Sequence, residues 1–194
     1  FAKRFGKMAQ DEVAQDLTDE LIRIMNTAAI TRLNAVAKTP VAWSKTPDAG
    51  SSYAEHKFSF IDTFALAEAN LNRNAGQGQI NRMVAGTIAA ATLRGLPGFT
   101  VAEGSFNSSV GLYGYYNNVP VIRAANVIDD NRIVCSYRGN GAFNAPLVHA
   151  PYMPLFISDS VAAGKNPLRN QRVSAIWAGL KPVIENFVTA IDIT

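Results

Sequence analysis

An α+β fold is expected for this chain of 194 residues. Three observations predict it. Apolar residues recur at helical spacing near the beginning, later segments alternate at period two, and the order along the chain is helix, helix, strand, helix, then strands only.

The first helix is expected over residues 11–38, where Val13, Leu17, Leu21, Ile24, Ala28 and Ile30 or Thr31 share one side and neither proline nor glycine interrupts. At 1.5 Å per residue it would span roughly 40 Å. Its apolar stripe is narrow, which suits a strut across a sheet or between subunits better than a member of a bundle. Asp11, Glu12 and Asp16 are read as its first turns and Arg32 and Lys38 as its end, the order that the helix dipole favours.

Residues 38–52, KTPVAWSKTPDAGSS, read as a turn-rich connection and a boundary. A second amphipathic helix is expected from about 59 to 74, with Phe60, Phe64, Ala67 and Leu71 on one face and a glycine-bearing stop after it. Residues 83–88 read as a short buried strand and 89–96 as a small helix ended by Pro97 and Gly98, with little linker between them. Strands at 119–124 and 132–137, joined by a polar turn at Asp129, Asp130 and Asn131, are expected to be neighbours. APYMPLFISD, residues 150–159, reads as a buried strand that nevertheless carries Pro151 and Pro154, and 172–177 and 184–194 alternate like half-exposed strands.

With 48% hydrophobic and 17% charged residues the composition is that of a globular chain able to bury a sizeable core. The net charge of +3 is small and forms no stripe that would track a phosphate backbone; Lys3, Arg4 and Lys7 are the only dense basic cluster. One cysteine, Cys135, cannot form an internal bridge, and no run of 18 apolar residues appears, so a soluble protein of a reducing compartment, with no membrane partner, is expected. Because the first residue is Phe1, the expectation is a trailing portion of a longer or processed chain.

No motif carries chemistry. GQGQIN and GNGAFN begin like dinucleotide fingerprints but place asparagine where the third glycine or alanine belongs, and AAGKN lacks the rest of a phosphate loop. His56, His149 and Cys135 lie at no ligand spacing, so no metal, cofactor or catalytic residue is assigned. Cys135 reads as a small buried hydrophobe, and Asp129 and Asp130 as a solvated turn rather than paired acids. Asn107 opens an Asn-Ser-Ser triplet that means nothing without secretion. GLYGYYNNV, holding Tyr113, Tyr115, Tyr116, Asn117 and Asn118, suits packing at a strand entry, a protein contact, or a platform for a sugar or base.

The order of elements, together with NNVPVIRAANVIDDNRIVCSYRG and the Pro-Tyr-x-Pro-Leu step at Pro151, Tyr152, Pro154 and Leu155, resembles the major capsid protein of tailed bacteriophages, closest to the branch of large contractile-tailed phages. The resemblance implies a peripheral domain of residues 1–48 and 143–194, holding the strut helix and closing strands, and an inserted α/β axial domain of residues 49–142. It implies an upstream arm and extended loop that this sequence lacks. It also implies a non-enzymatic subunit of an icosahedral head that self-assembles into hexameric and pentameric capsomers, encloses double-stranded DNA, meets other head proteins, and is located in the virion after assembly in the host cytoplasm. Pro146, Pro151 and Pro154 would stiffen the crossing between domains and keep an apolar edge from mispairing. Residues 159–172 would form an exposed loop offering Lys165, Arg169 and Arg172 to carboxylates of adjacent subunits, beside Tyr113, Tyr115, Tyr116, Asn117 and Asn118 as subunit contacts. An encapsulin-type nanocompartment shell is the nearest alternative. A small-molecule-binding α+β protein or enzyme is the alternative of another class.

Overall fold

The computed structural model describes residues 2–47, 49–103, 110–141, 143–159, 161–162, 170–171 and 173–194, and among these the side chains of all but 2–10, 39, 154, 161–162 and 170–171. In chain order the elements are α1 (Ala2–Val36), β1 (Lys38–Trp43), α2 (Tyr53–Ala75), β2 (Arg82–Ala85), α3 (Thr87–Arg94), β3 (Phe99–Val101), β4 (Val110–Tyr116) and β5 (Val119–Ala124). There follow β6 (Arg132–Ser136), β7 (Leu147–Ile157), β8 (Val161–Ala162), β9 (Asn170–Gln171), β10 (Ser174–Pro182), a 3-10 turn (Glu185–Phe187) and β11 (Val188–Ile193). The mixture is the expected α+β. The chain divides into two units, residues 1–26 with 149–180 and residues 27–148 with 181–194.

The second unit is built on a seven-stranded mixed sheet of order β1-β11-β6-β2-β5-β4-β3. Alternation along its central strands sends side chains to two faces, and both are covered. Met83, Val121, Ile133, Cys135, Ile191 and Ile193 pack with Phe60, Ala67 and Leu71 of α2 and Ala89, Ala90 and Leu93 of α3. Their neighbours Val84, Ala124, Val134 and Val188 pack with Ile30 and, less deeply, Leu33 and Val36 at the end of α1. The register is held on β6 and β11 by Arg132, whose Nε and an Nη donate to the two carboxylate oxygens of its cross-strand partner Asp192 at 2.6 and 2.9 Å.

Several expectations are corrected. The first helix starts at Ala2, so Asp11, Glu12 and Asp16 lie beyond its first turn, its last turn holds no basic residue, and the dipole reading does not apply. The second helix keeps its predicted apolar face but starts at Tyr53. Ser52 caps it, its Oγ accepting from Glu55 N while Glu55 Oε2 accepts from Ser52 N, a capping box present in the sequence as Ser-x-x-Glu. Gly76, at φ 71°, closes it. The supposed connection contains β1, which pairs in parallel with β11 from the far end of the sequence. Residues 99–101 and 110–116, not assigned to strands, form β3 and β4. β11 is buried on both faces rather than half exposed, because helices cover both sides of the sheet.

The strands at 119–124 and 132–137 are not neighbours. β2 lies between them, parallel to β5 and antiparallel to β6, and residues 125–131 step over its end. Gly86 N donates to Arg132 O at 2.9 Å and Ala89 N to Asp130 O at 2.8 Å there. A Cβ on Gly86 would run into the Asp129 carbonyl, so only glycine lets β2 turn into α3 beneath this crossing.

In the first unit β7 and β10 form a two-stranded sheet, antiparallel as judged from Val183 N donating to Pro146 O at one end and Ser158 N donating to Val173 O at the other. β8 and β9 form a second small pair. Both Pro151 and Pro154 lie inside β7. A strand with a single partner has one unpaired edge, so prolines here cost less than they would in the seven-stranded sheet.

Candidate interaction surfaces

The tyrosine and asparagine segment is a hairpin whose residues part company. Asn117 and Asn118 adopt φ of 46° and 66°, the two successive left-handed positions of a type I′ turn between β4 and β5, and both are exposed. Tyr116 is fully buried, edge-on to Phe60 at 5.4 Å and Phe64 at 5.6 Å, and burial raises its phenol pKa above the ordinary value. Tyr113 is also buried, beneath the Arg123 guanidinium at 5.6 Å and beside Phe99. Their rings serve this chain's own packing, which corrects the reading of Tyr113 and Tyr116 as contacts with another subunit. Of the three tyrosines only Tyr115, 40% exposed, keeps a ring at the surface. Lys165, Arg169 and Arg172 lie outside the described residues.

A broader apolar surface lies in the first unit. Tyr152 is 84% exposed, Trp177 63% and Phe156 55%, and Met153, Leu155 and Val173 are exposed too. In α1 Val13, Ile22 and Ile24 are half exposed. None of the described side chains of this unit is buried; every described core residue belongs to the other unit. A two-stranded sheet without a packed face is marginal in water. Exposed apolar side chains of this kind make the surface a candidate for contact with another molecule. The signal is present in the sequence as the apolar run around the two prolines, a run that by itself reads as a buried strand.

Residues with chemical potential elsewhere are held in structural roles. Asp129 Oδ1 accepts from Asn131 N at 3.2 Å, closing the exposed turn. His149 is exposed in β7. Among the described residues no cluster of histidine, cysteine and carboxylates could hold a metal, and no helix is long and apolar enough to cross a membrane. Cys135 is wholly buried, and burial pushes its thiol pKa up to about 12. We therefore expect no labelling of Cys135 by a maleimide at pH 7.5 in the folded chain and one thiol labelled after denaturation; mass spectrometry of the two samples checks this.

One cavity, of about 160 Å³, was not anticipated. Trp43, Lys45, Tyr53, His56, Lys57, Thr92 and Leu96 line it, from the end of β1, the first turns of α2 and the end of α3. The His56 ring stacks on Trp43 at 5.3 Å, and its Nε2 bonds the Ser44 carbonyl at 2.6 Å. Trp43 Nε1 donates to Ser59 Oγ at 3.0 Å. The cavity walls are thus fixed from three elements.

A family model described as major capsid protein Gp23 matches residues 4–171. No curated protein matches. Among solved structures, a phage-related protein from Bordetella bronchiseptica RB50 is similar over 90% of this chain and 65% of its own, at 10% identity and a TM-score of 0.52, so the two share a fold. A virus-like particle from Pyrococcus furiosus is matched over 90% of this chain and 64% of its own, at 10% identity and a TM-score of 0.49. The holo-SrpI encapsulin complex from Synechococcus elongatus PCC 7942 is matched over 90% and 63%, at 14% identity and a TM-score of 0.48. This chain spans under two thirds of the length of each of these three structures. With the α+β sheet, the long helix and the family match extending over residues 4–171, the chain belongs to the major capsid protein Gp23 family.

Proposed function

We propose that this chain is the structural subunit of an icosahedral phage head, assembling with copies of itself into hexameric and pentameric capsomers around double-stranded DNA. The observation that carries the reading, beside family membership, is a unit whose described side chains include Tyr152, Phe156 and Trp177 at the surface and none in a core. Neighbouring copies supply the missing cover, and stability comes from area summed over many contacts. Residues 1–48 and 143–194 form the peripheral domain, with Pro146, Pro151 and Pro154 stiffening the crossing, and residues 49–142 form the axial domain. Tyr115, Asn117 and Asn118 with Lys165, Arg169 and Arg172 meet adjacent subunits. The subunit carries out no reaction. It assembles in the host cytoplasm, joins other head proteins there, and resides in the virion.

Electron microscopy of the full-length product tests this. Closed shells of uniform diameter that protect DNA from nuclease are expected. Dispersed monomers at high concentration overturn the reading, and shells filled with a co-purifying protein instead of DNA point to a nanocompartment.

A further inference from the structure

The cavity at the start of α2 carries the two ammonium groups of Lys45 and Lys57. Lys45, Lys57 and His56 line it, and no carboxylate does. Among the described residues neither lysine is paired with an acid. Glu55, next in sequence to His56, is held away by the capping box, where its carboxylate accepts from Ser52 N and Oγ at 3.1 and 2.9 Å. Lys45 is positioned by its own backbone, whose N–H donates to Thr194 O at 2.8 Å, while Trp43 O accepts from Thr194 N at 2.9 Å. Lys57 Nζ stands over the Tyr53 ring at 5.0 Å and beside Gly95, just past the end of α3. The face of that ring favours a cation. Trp43, Tyr53 and Leu96 supply apolar walls. A small anionic head on a short apolar stem therefore fits, which describes an aspartate or glutamate side chain.

The complementary charge is concentrated in one place. Residues 11–20, DEVAQDLTDE, contain Asp11, Glu12, Asp16, Asp19 and Glu20 and no basic residue, and all five carboxylates are exposed on α1. Glu20 pairs with Arg23; among the described residues Asp11, Glu12, Asp16 and Asp19 have no cationic partner. The cavity is lined only by residues of the second unit, and the acidic stretch belongs to the first.

We propose that the cavity lined by Lys45, His56 and Lys57 is a socket for the acidic face of α1, residues 11–20, of a second copy of this chain. The inference rests on the self-assembly reading and deepens it. A socket on one surface and its plug on another form a heterologous contact, the kind that closes rings, and charge pairs at such a contact set register between copies.

Three forms of the full-length chain test it: Lys45→Glu with Lys57→Glu, Asp16→Lys with Asp19→Lys, and all four together. Each pair alone is expected to lower the assembled fraction about tenfold, the ratio for a loss of about 1.4 kcal/mol, and the four together to restore it. Four substitutions that assemble no better than either pair, or pairs that assemble normally, overturn the socket. If the reversed lysines disturb folding, Lys45→Gln with Lys57→Gln is expected to weaken assembly in the same direction. Calorimetric titration with a peptide of residues 8–24 decides the matter even where the unsubstituted chain fails to form shells, the outcome that would sink the assembly reading instead. Saturable binding lost in the Lys45→Glu, Lys57→Glu chain supports the socket. No binding, or binding matched by inorganic phosphate alone, overturns it.

Discussion

Replacing Phe60 with alanine is expected to destabilise the sheet unit by about 3–5 kcal/mol. Phe60 is wholly buried and is the hub of an aromatic chain, edge-on to Trp43 at 5.3 Å and to Tyr116 at 5.4 Å. Its removal leaves a cavity between α2 and the sheet, and each lost aromatic pair adds about 0.5–1.5 kcal/mol beyond the buried area. The Tyr116 hydroxyl, buried with no hydrogen-bond partner among the described residues, depends on this packing to offset its desolvation. Phe58, two residues away on the exposed side of α2, serves as the control, with an expected change within about 0.5 kcal/mol. Denaturant unfolding followed by near-ultraviolet circular dichroism separates the two. Equal midpoints for Phe60→Ala and Phe58→Ala would show that this face of α2 is not the one that carries the core.

The second large effect is expected on assembly rather than on folding. A chain carrying Phe156→Asp and Trp177→Asp should keep its helical and sheet signature yet form no shells, because both side chains are exposed in the single chain and belong to the unit in which no described side chain is buried. Burying each aromatic against a neighbour contributes about 1.5–3 kcal/mol, and a carboxylate placed at the same point must be desolvated without a partner. Sedimentation and negative-stain microscopy read the result. Normal shell yield from the doubly substituted chain would remove the β7–β10 surface from the subunit contacts.

These two experiments address the two kinds of apolar residue that the chain contains. In the sheet unit, apolar side chains meet other parts of the same chain: Phe60, Ala67 and Leu71 of α2 against Ile133, Ile191 and Ile193. In the other unit, Tyr152, Phe156 and Trp177 meet none deeply enough to be buried. Sequence periodicity reports that a face is apolar and is silent about which molecule covers it. That is why the Pro-Tyr-x-Pro-Leu run reads as a buried strand and is instead exposed.

The α+β class, the long uninterrupted helix and the Phe60, Phe64, Ala67 and Leu71 face of α2 were all legible from the sequence, because each depends on spacing within one segment. The Ser52–Glu55 capping box was legible too and would have moved the start of α2 to Tyr53. Only tertiary structure decided that β1 joins β11 across most of the chain, that β2 separates β5 from β6, and that Trp43, Lys45, His56 and Lys57 enclose one cavity. Strand order and cavities arise from pairings between segments far apart in the chain, and the local pattern of a strand is the same whichever neighbour it takes.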